Sequence, residues 1–183
     1  ANVGAFTYVA SHFANRVIAI EPCSQTFNTL TTNRRTRGFG DADISFHQAA
    51  VGKPGHDAYM VYGPDRQSGN ARMEYDELSG GEKVNVITLE DIRALTPKGV
   101  IDYLKVDCEG GEYDFLLGQD LSFVRFLAIE MHGDGPKRGE LMSHLKKYFE
   151  VYHQLDPTTG KPYADGTCYS CWPHASTLQC LYA

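Results

Sequence analysis

Val100-Ile101-Asp102-Tyr103-Leu104-Lys105-Val106 runs directly into Asp107-Cys108-Glu109-Gly110-Gly111-Glu112. The first seven residues are nearly continuous in apolar character, as expected of a parallel strand covered on both faces. The stretch that follows, 111–117, has helical spacing. Downstream, 124–131 reads as another buried strand, and 137–149 as an amphipathic helix with Leu141, Met142, Leu145 and Tyr148 inward. Upstream, Arg16-Val17-Ile18-Ala19-Ile20 is a short β-branched run. Ser24 is placed to cap a helix that stops near Gly38, and 44–51 reads as a third apolar strand. A helix over 5–14 carries Phe6, Val9, Ala10 and Phe13 on one face. Strand and helix alternate through most of the chain, which predicts an α/β fold with a mostly parallel sheet and helices on both faces.

Residues 53–83 break the alternation. They are rich in Gly, Pro, Asp and Tyr and have no helical period, so a β-hairpin insertion is expected near 53–87. It would centre on Tyr59-Met60-Val61-Tyr62, with a mobile loop at 63–82. A strand at 84–87 and a short helix opened by Thr88-Leu89-Glu90-Asp91 follow. An antiparallel pair of 150–155 with 177–182 is expected at the sheet edge. The 183 residues fit a single domain.

Composition narrows the function. Hydrophobic residues make up 42% and charged residues 22%, ordinary values for a globular chain. The net charge of −6 argues against a broad nucleic-acid footprint. No apolar run reaches the ~20 residues that cross a bilayer, and no signal peptide is visible, although the chain begins without methionine. Neither nucleic acid nor membrane is therefore expected as a partner, and the compartment leans toward the cytoplasm without being decided. Five cysteines do not make a disulfide scaffold. Cys168-x-x-Cys171 with His174 and Cys180 resembles a zinc site only in ligand types, so thiols or a local disulfide are expected there.

Sheets of this kind bind ligands beyond the carboxyl ends of their strands. Asn2, Val3 and Gly4 form a small-residue turn before a helix, where backbone N–H groups can approach a ligand. Glu21, followed by Pro22, ends a strand about 20 residues later, the interval at which an acidic side chain can accept from ribose hydroxyls. Asp107 and Glu109 end one strand, and Glu130 and His132 end the next. Four polar groups on two strand ends make a candidate reaction site, with His132 or Asp107 foremost as general base. The same groups could bind a hard cation, but no spacing demands one, and no metal is expected.

Taken in order, these segments resemble the FkbM-type methyltransferases. The matching stretches are Ala1-Asn2-Val3-Gly4-Ala5-Phe6-Thr7, Ala19-Ile20-Glu21-Pro22, Asn33, Ala49-Ala50-Val51-Gly52 and Thr88-Leu89-Glu90-Asp91. Ile101 through Glu112 and Ile129-Glu130-Met131-His132 complete them. The resemblance covers residues 1 to about 132 and is most specific at Leu104-Lys105-Val106-Asp107-Cys108-Glu109-Gly110-Gly111-Glu112. It implies a Rossmann-like class I methyltransferase fold that uses S-adenosylmethionine to methylate a hydroxyl oxygen on a sugar or other small molecule. It further implies that Asn2, Val3 and Gly4 line the methionine end of the cofactor and that Glu21 holds the ribose hydroxyls. Gln48 and Ala49 would border the adenine, and Asp107 and Glu109 would face the methyl group and the substrate.

In the family pattern a strand and an acidic residue precede the glycine loop, whereas this chain begins inside that loop. The expectation is therefore an N-terminally truncated domain whose first strand, central between 16–20 and 100–106, is absent or is supplied by another copy in a homo-oligomer. Two other functions remain open: a nicotinamide-dependent oxidoreductase, disfavoured by the missing G-x-x-G step, and a non-catalytic scaffold derived from a methyltransferase.

Overall fold

The protein is described by a computed structural model over residues 1–62, 71–75, 81–133, 135–155, 159–162 and 168–174. The chain divides into two compact units, Ala1–Thr88 and Leu89–Ala183.

In the first unit, α1 (Ala5–Ala10) leads to β1 (Arg16–Ile20), α2 (Ser24–Thr36) and β2 (Asp43–His47). The expected helix over 5–14 thus closes after Ala10. β1 and β2 pair in parallel from Arg16 opposite Asp43 to Ile20 opposite His47, and an ion pair of 2.6 Å ties the first of these partners together. The α2 crossover makes the parallel arrangement possible, because a tight turn could only return the chain antiparallel. α2 buries Leu30 completely. Ser24 does not cap this helix: it is the first helical residue, and its hydroxyl donates to Glu82 at 3.1 Å.

The strand expected at 44–51 is two strands. β2 stops at His47, and β3 (Ala50–Val51) pairs in parallel with β7 (Val86–Ile87) instead. Between them in the chain, β4 (Ala58–Val61) is the centre of a three-stranded antiparallel sheet, flanked by β5 (Arg72–Glu74) and β6 (Glu82–Val84). The insertion is therefore a three-stranded sheet with its first strand in the middle rather than a simple hairpin. Part of the loop expected at 63–82 is strand, and residues 63–70 and 76–80 lie outside the described residues. Ala50, Ala58, Met60, Ala71 and Val84 form its core, with Tyr62, Met73 and Val86 packed against it.

The second unit begins with α3 (Leu89–Ala94) and β8 (Ile101–Val106). It continues through α4 (Glu112–Leu116), β9 (Val124–Glu130), α5 (Pro136–Leu145), β10 (Phe149–His153) and β11 (Cys168–Pro173). These strands form one sheet in the order β10-β11-β9-β8. β8 and β9 are parallel, while β11 runs antiparallel to both β9 and β10. The partner of β10 is thus β11 and not 177–182, which lies outside the described residues. Register places Val106, Leu127, Ile129, Tyr169, Cys171 and Phe149 on one face of the sheet, all buried. On the other face Tyr103, Trp172 and Tyr152 stay more than half exposed, with Phe126 edge-on to Trp172.

The expected mostly parallel sheet with helices on both faces is therefore corrected. The described strands form four sheets of mixed direction, and few helices accompany them. β4 runs antiparallel to β5 and β6, and β11 runs antiparallel to β9 and β10. Among the described residues, β1 has β2 as its one ladder partner and β8 has β9.

Candidate active site

The second unit gathers the acidic groups expected at its strand ends. β8 delivers Asp107 just past its last residue. The chain then turns through Glu109 and Gly110, both left-handed at φ 53° and 99°. Glycine tolerates that conformation, whereas a glutamate in it is strained, by about 1 kcal/mol. The turn carries the Glu109 carboxylate back to within 3.5 Å of the His132 Nε2. Asp107 lies 4.0 Å and Glu130 3.7 Å from the same nitrogen. Lys105 reaches Asp107 at 2.9 Å.

The opposite side of the imidazole is held differently. His132 Nδ1 lies 2.7 Å from Oε1 of Glu112, a carboxylate with no solvent exposure. The Cys108 N–H also donates to that oxygen, at 3.3 Å. The next residue, Tyr113, donates its hydroxyl to the His132 carbonyl at 2.8 Å. The first turn of α4 therefore grips His132 by both ring and backbone. Burial works against an imidazolium here, but the Glu112 hydrogen bond and the charges of Glu112, Glu109 and Glu130 outweigh it, and the His132 pKa is raised. Glu109 is raised as well: burial leads, the His132 charge opposes, and the neighbouring carboxylates add to the rise.

Asp107, Glu109 and His132 are thus brought together, with Glu130 beside them. Asp107, Glu130 and His132 offer atoms within 4.8 Å of one another, a grouping of ligand types that could hold a cation. Among the described residues, Cys168 and Cys171 make no comparable group. Cys168 and Cys171 stand three apart on β11, so they project to opposite faces, and Cys171 is a free thiol. Cys180 lies outside the described residues.

The first unit holds the residues expected to contact a cofactor. Asn2, at φ 53°, and Gly4, at φ 99°, shape the turn before α1. Glu21 is buried at the end of β1. Its Oε2 accepts from the Asn2 N–H at 2.7 Å and from the Ala1 amino group at 3.3 Å, and its Oε1 accepts from the Cys23 N–H at 3.1 Å. The carboxylate thereby pins the turn. Asn33 adds a second hold, donating to the Val3 carbonyl at 2.9 Å. Pro22 is half-buried, the Gln48 side chain is exposed and Ala49 is buried. Sequence reasoning missed Glu82, whose carboxylate accepts from Ser24, from Tyr62 at 2.6 Å and from Gln48 at 3.5 Å. Its place in a Gly-rich insertion gave no signal.

The model for the methyltransferase FkbM domain matches residues 1–155. The chain belongs to the FkbM methyltransferase family. No curated protein and no solved structure matches it. Membership implies a class I methyltransferase fold, and the family is generally dependent on S-adenosylmethionine. The match takes in every candidate residue of both units and ends before β11. No described helix is long and apolar enough to cross a membrane.

Proposed function

We propose that this methyltransferase domain transfers a methyl group from S-adenosylmethionine to a hydroxyl oxygen of a small molecule or sugar. The observation that carries the reading is His132, clamped on Nδ1 by a buried carboxylate while Nε2 lies within 4.0 Å of three more. That is the arrangement of a general base, whose proton-accepting atom must be fixed in tautomer and direction. The net charge of −6 favours a small hydroxylated acceptor over a nucleic acid.

The residues of the first unit fit the cofactor. Oε1 of Glu21 accepts one N–H from the chain and retains a lone-pair site that can accept from a ribose hydroxyl. Asn2, Val3 and Gly4 would border the methionine end, and Pro22, Gln48 and Ala49 the adenosine. When bound, the cofactor supplies an electrophilic methyl group on sulfur. The acceptor oxygen would take that methyl group, and the C–S electron pair would stay on sulfur. The hydroxyl proton passes to His132 Nε2, and Asp107, Glu109 and Glu130 stabilise the resulting imidazolium. Asp107 and Glu109 also orient the acceptor through its hydroxyls.

Calorimetric titration with S-adenosylhomocysteine and with NAD tests this reading. Saturable binding of S-adenosylhomocysteine alone is expected, and Glu21→Gln should weaken it. Binding of NAD instead would sink the proposal, and binding of S-adenosylhomocysteine without turnover on any hydroxyl acceptor would reduce the domain to a scaffold.

A further inference from the structure

Among the described residues, Glu112 is the one carboxylate in the second unit that is wholly withdrawn from solvent. Buried carboxylates are rare unless paired, because water solvates them far better than protein does. No lysine or arginine reaches this one within 4 Å among the described residues. Its Oε1 meets His132 and the Cys108 N–H, and its Oε2 has no hydrogen-bond partner. The fold therefore carries a costly group whose contacts converge on one imidazole. Core packing alone would be served better by an apolar side chain.

We infer that Glu112 is a positioning residue that selects the Nδ1–H tautomer of His132 and aims the Nε2 lone pair at the acceptor. This rests on His132 being the base of the proposed reaction. A neutral imidazole has one N–H, and whichever nitrogen carries it cannot accept a proton. A carboxylate 2.7 Å from Nδ1 can only accept, so it fixes the hydrogen there and leaves Nε2 free. Glu112 also stabilises the imidazolium formed after proton transfer. The groups facing the ring are Asp107 and Glu109 beyond β8, Glu130 at the end of β9 and Glu112 of α4, with Lys105 of β8 paired to Asp107. Of these, Glu112 alone reaches Nδ1.

The test joins an activity readout to one that needs no activity. In the folded Glu112→Gln variant the side-chain amide can donate to Nδ1 and favour the wrong tautomer. We expect kcat to fall about 100-fold or more, by analogy with loss of the buried carboxylate in a serine-protease triad, with KM for the cofactor unchanged. The acidic limb of the pH–rate profile should move to lower pH, since the imidazolium loses its nearest counter-charge. In a His132→Asn background the same substitution should cost nothing further. Independently, 15N NMR of the unaltered protein at alkaline pH should show His132 protonated on Nδ1. An Nε2–H tautomer, an unchanged kcat and pH limb, or an equal loss in the His132→Asn background would each overturn the inference. Should no methyltransferase activity be found, the NMR tautomer still decides the role of Glu112 separately from the reaction.

Discussion

Gly4 offers the sharpest test of how the first unit is assembled. It precedes α1 at φ 99° and ψ 15°. A Cβ at this position would stand 2.6 Å from Leu30 Cδ1 and 3.5 Å from Phe39 Cζ. Leu30 is fully buried, so its methyl group cannot swing into solvent. Two penalties therefore combine in Gly4→Ala. Left-handed backbone costs a non-glycine residue about 1–2 kcal/mol. Forcing a methyl group into filled space costs about 1–3 kcal/mol more. The expected loss is about 2–5 kcal/mol, a large part of a typical domain's ~5–15 kcal/mol. Urea unfolding followed by circular dichroism measures it. Repeating the substitution in a Leu30→Val background, which withdraws the offending methyl, separates the parts: about 1–2 kcal/mol should remain. A Gly4→Ala protein within ~0.5 kcal/mol of its parent would refute the backbone argument. An equal cost in both backgrounds would refute the steric one.

Other perturbations follow from the same geometry. Gly40→Ala would put a Cβ 2.2 Å from the Ser11 carbonyl oxygen, which is backbone and cannot yield, so a loss of at least ~3 kcal/mol is expected in the same assay. Glu109→Gly should raise stability by about 1 kcal/mol, since it relieves a left-handed glutamate, while turnover falls with the lost carboxylate; a less stable variant contradicts the strain. Burial pushes the Cys171 thiol up to about 12, so iodoacetamide at pH 8 should label it roughly a thousandfold more slowly than a free cysteine. Peptide mapping that finds ready labelling in the native protein would place Cys171 elsewhere. If His132 takes the proton unaided, as proposed, dialysis against EDTA should leave turnover unchanged. Loss restored by Mg²⁺ or Mn²⁺ would move hydroxyl activation to a cation held by Asp107, Glu130 and His132.

Much of the second unit was legible in the sequence, since β8 and β9 are long apolar runs with polar residues at their ends. The C-terminal strand was not. Cys168-Tyr169-Ser170-Cys171-Trp172-Pro173 drew attention as a ligand motif, although Tyr169, Cys171 and Pro173 alternate inward with the period of a strand. Counting cysteine as a small hydrophobe would have exposed the pattern. The division of 44–51 was hidden because an apolar run says nothing about where its ladder partner changes. Asp107, Glu109 and His132 could be singled out as candidates, and they do lie together, because strand ends collect polar side chains in this class of fold. Glu112 entered only as the last residue of the resembling segment, with no role assigned, because sequence alone cannot separate a solvated first-turn glutamate from one enclosed beneath an imidazole.

The position of β11 has a consequence for biosynthesis. It lies inside its sheet, between β9 and β10, yet it is translated after both. About 20 residues separate the end of β10 from the end of β11, so at ~5–20 residues per second β10 waits roughly 1–4 s for its partner. During that interval β9 and β10 both present open edges, the kind of surface on which nascent chains associate. A translational pause in this window should therefore harm the yield of soluble protein far more than one inside the earlier three-stranded sheet.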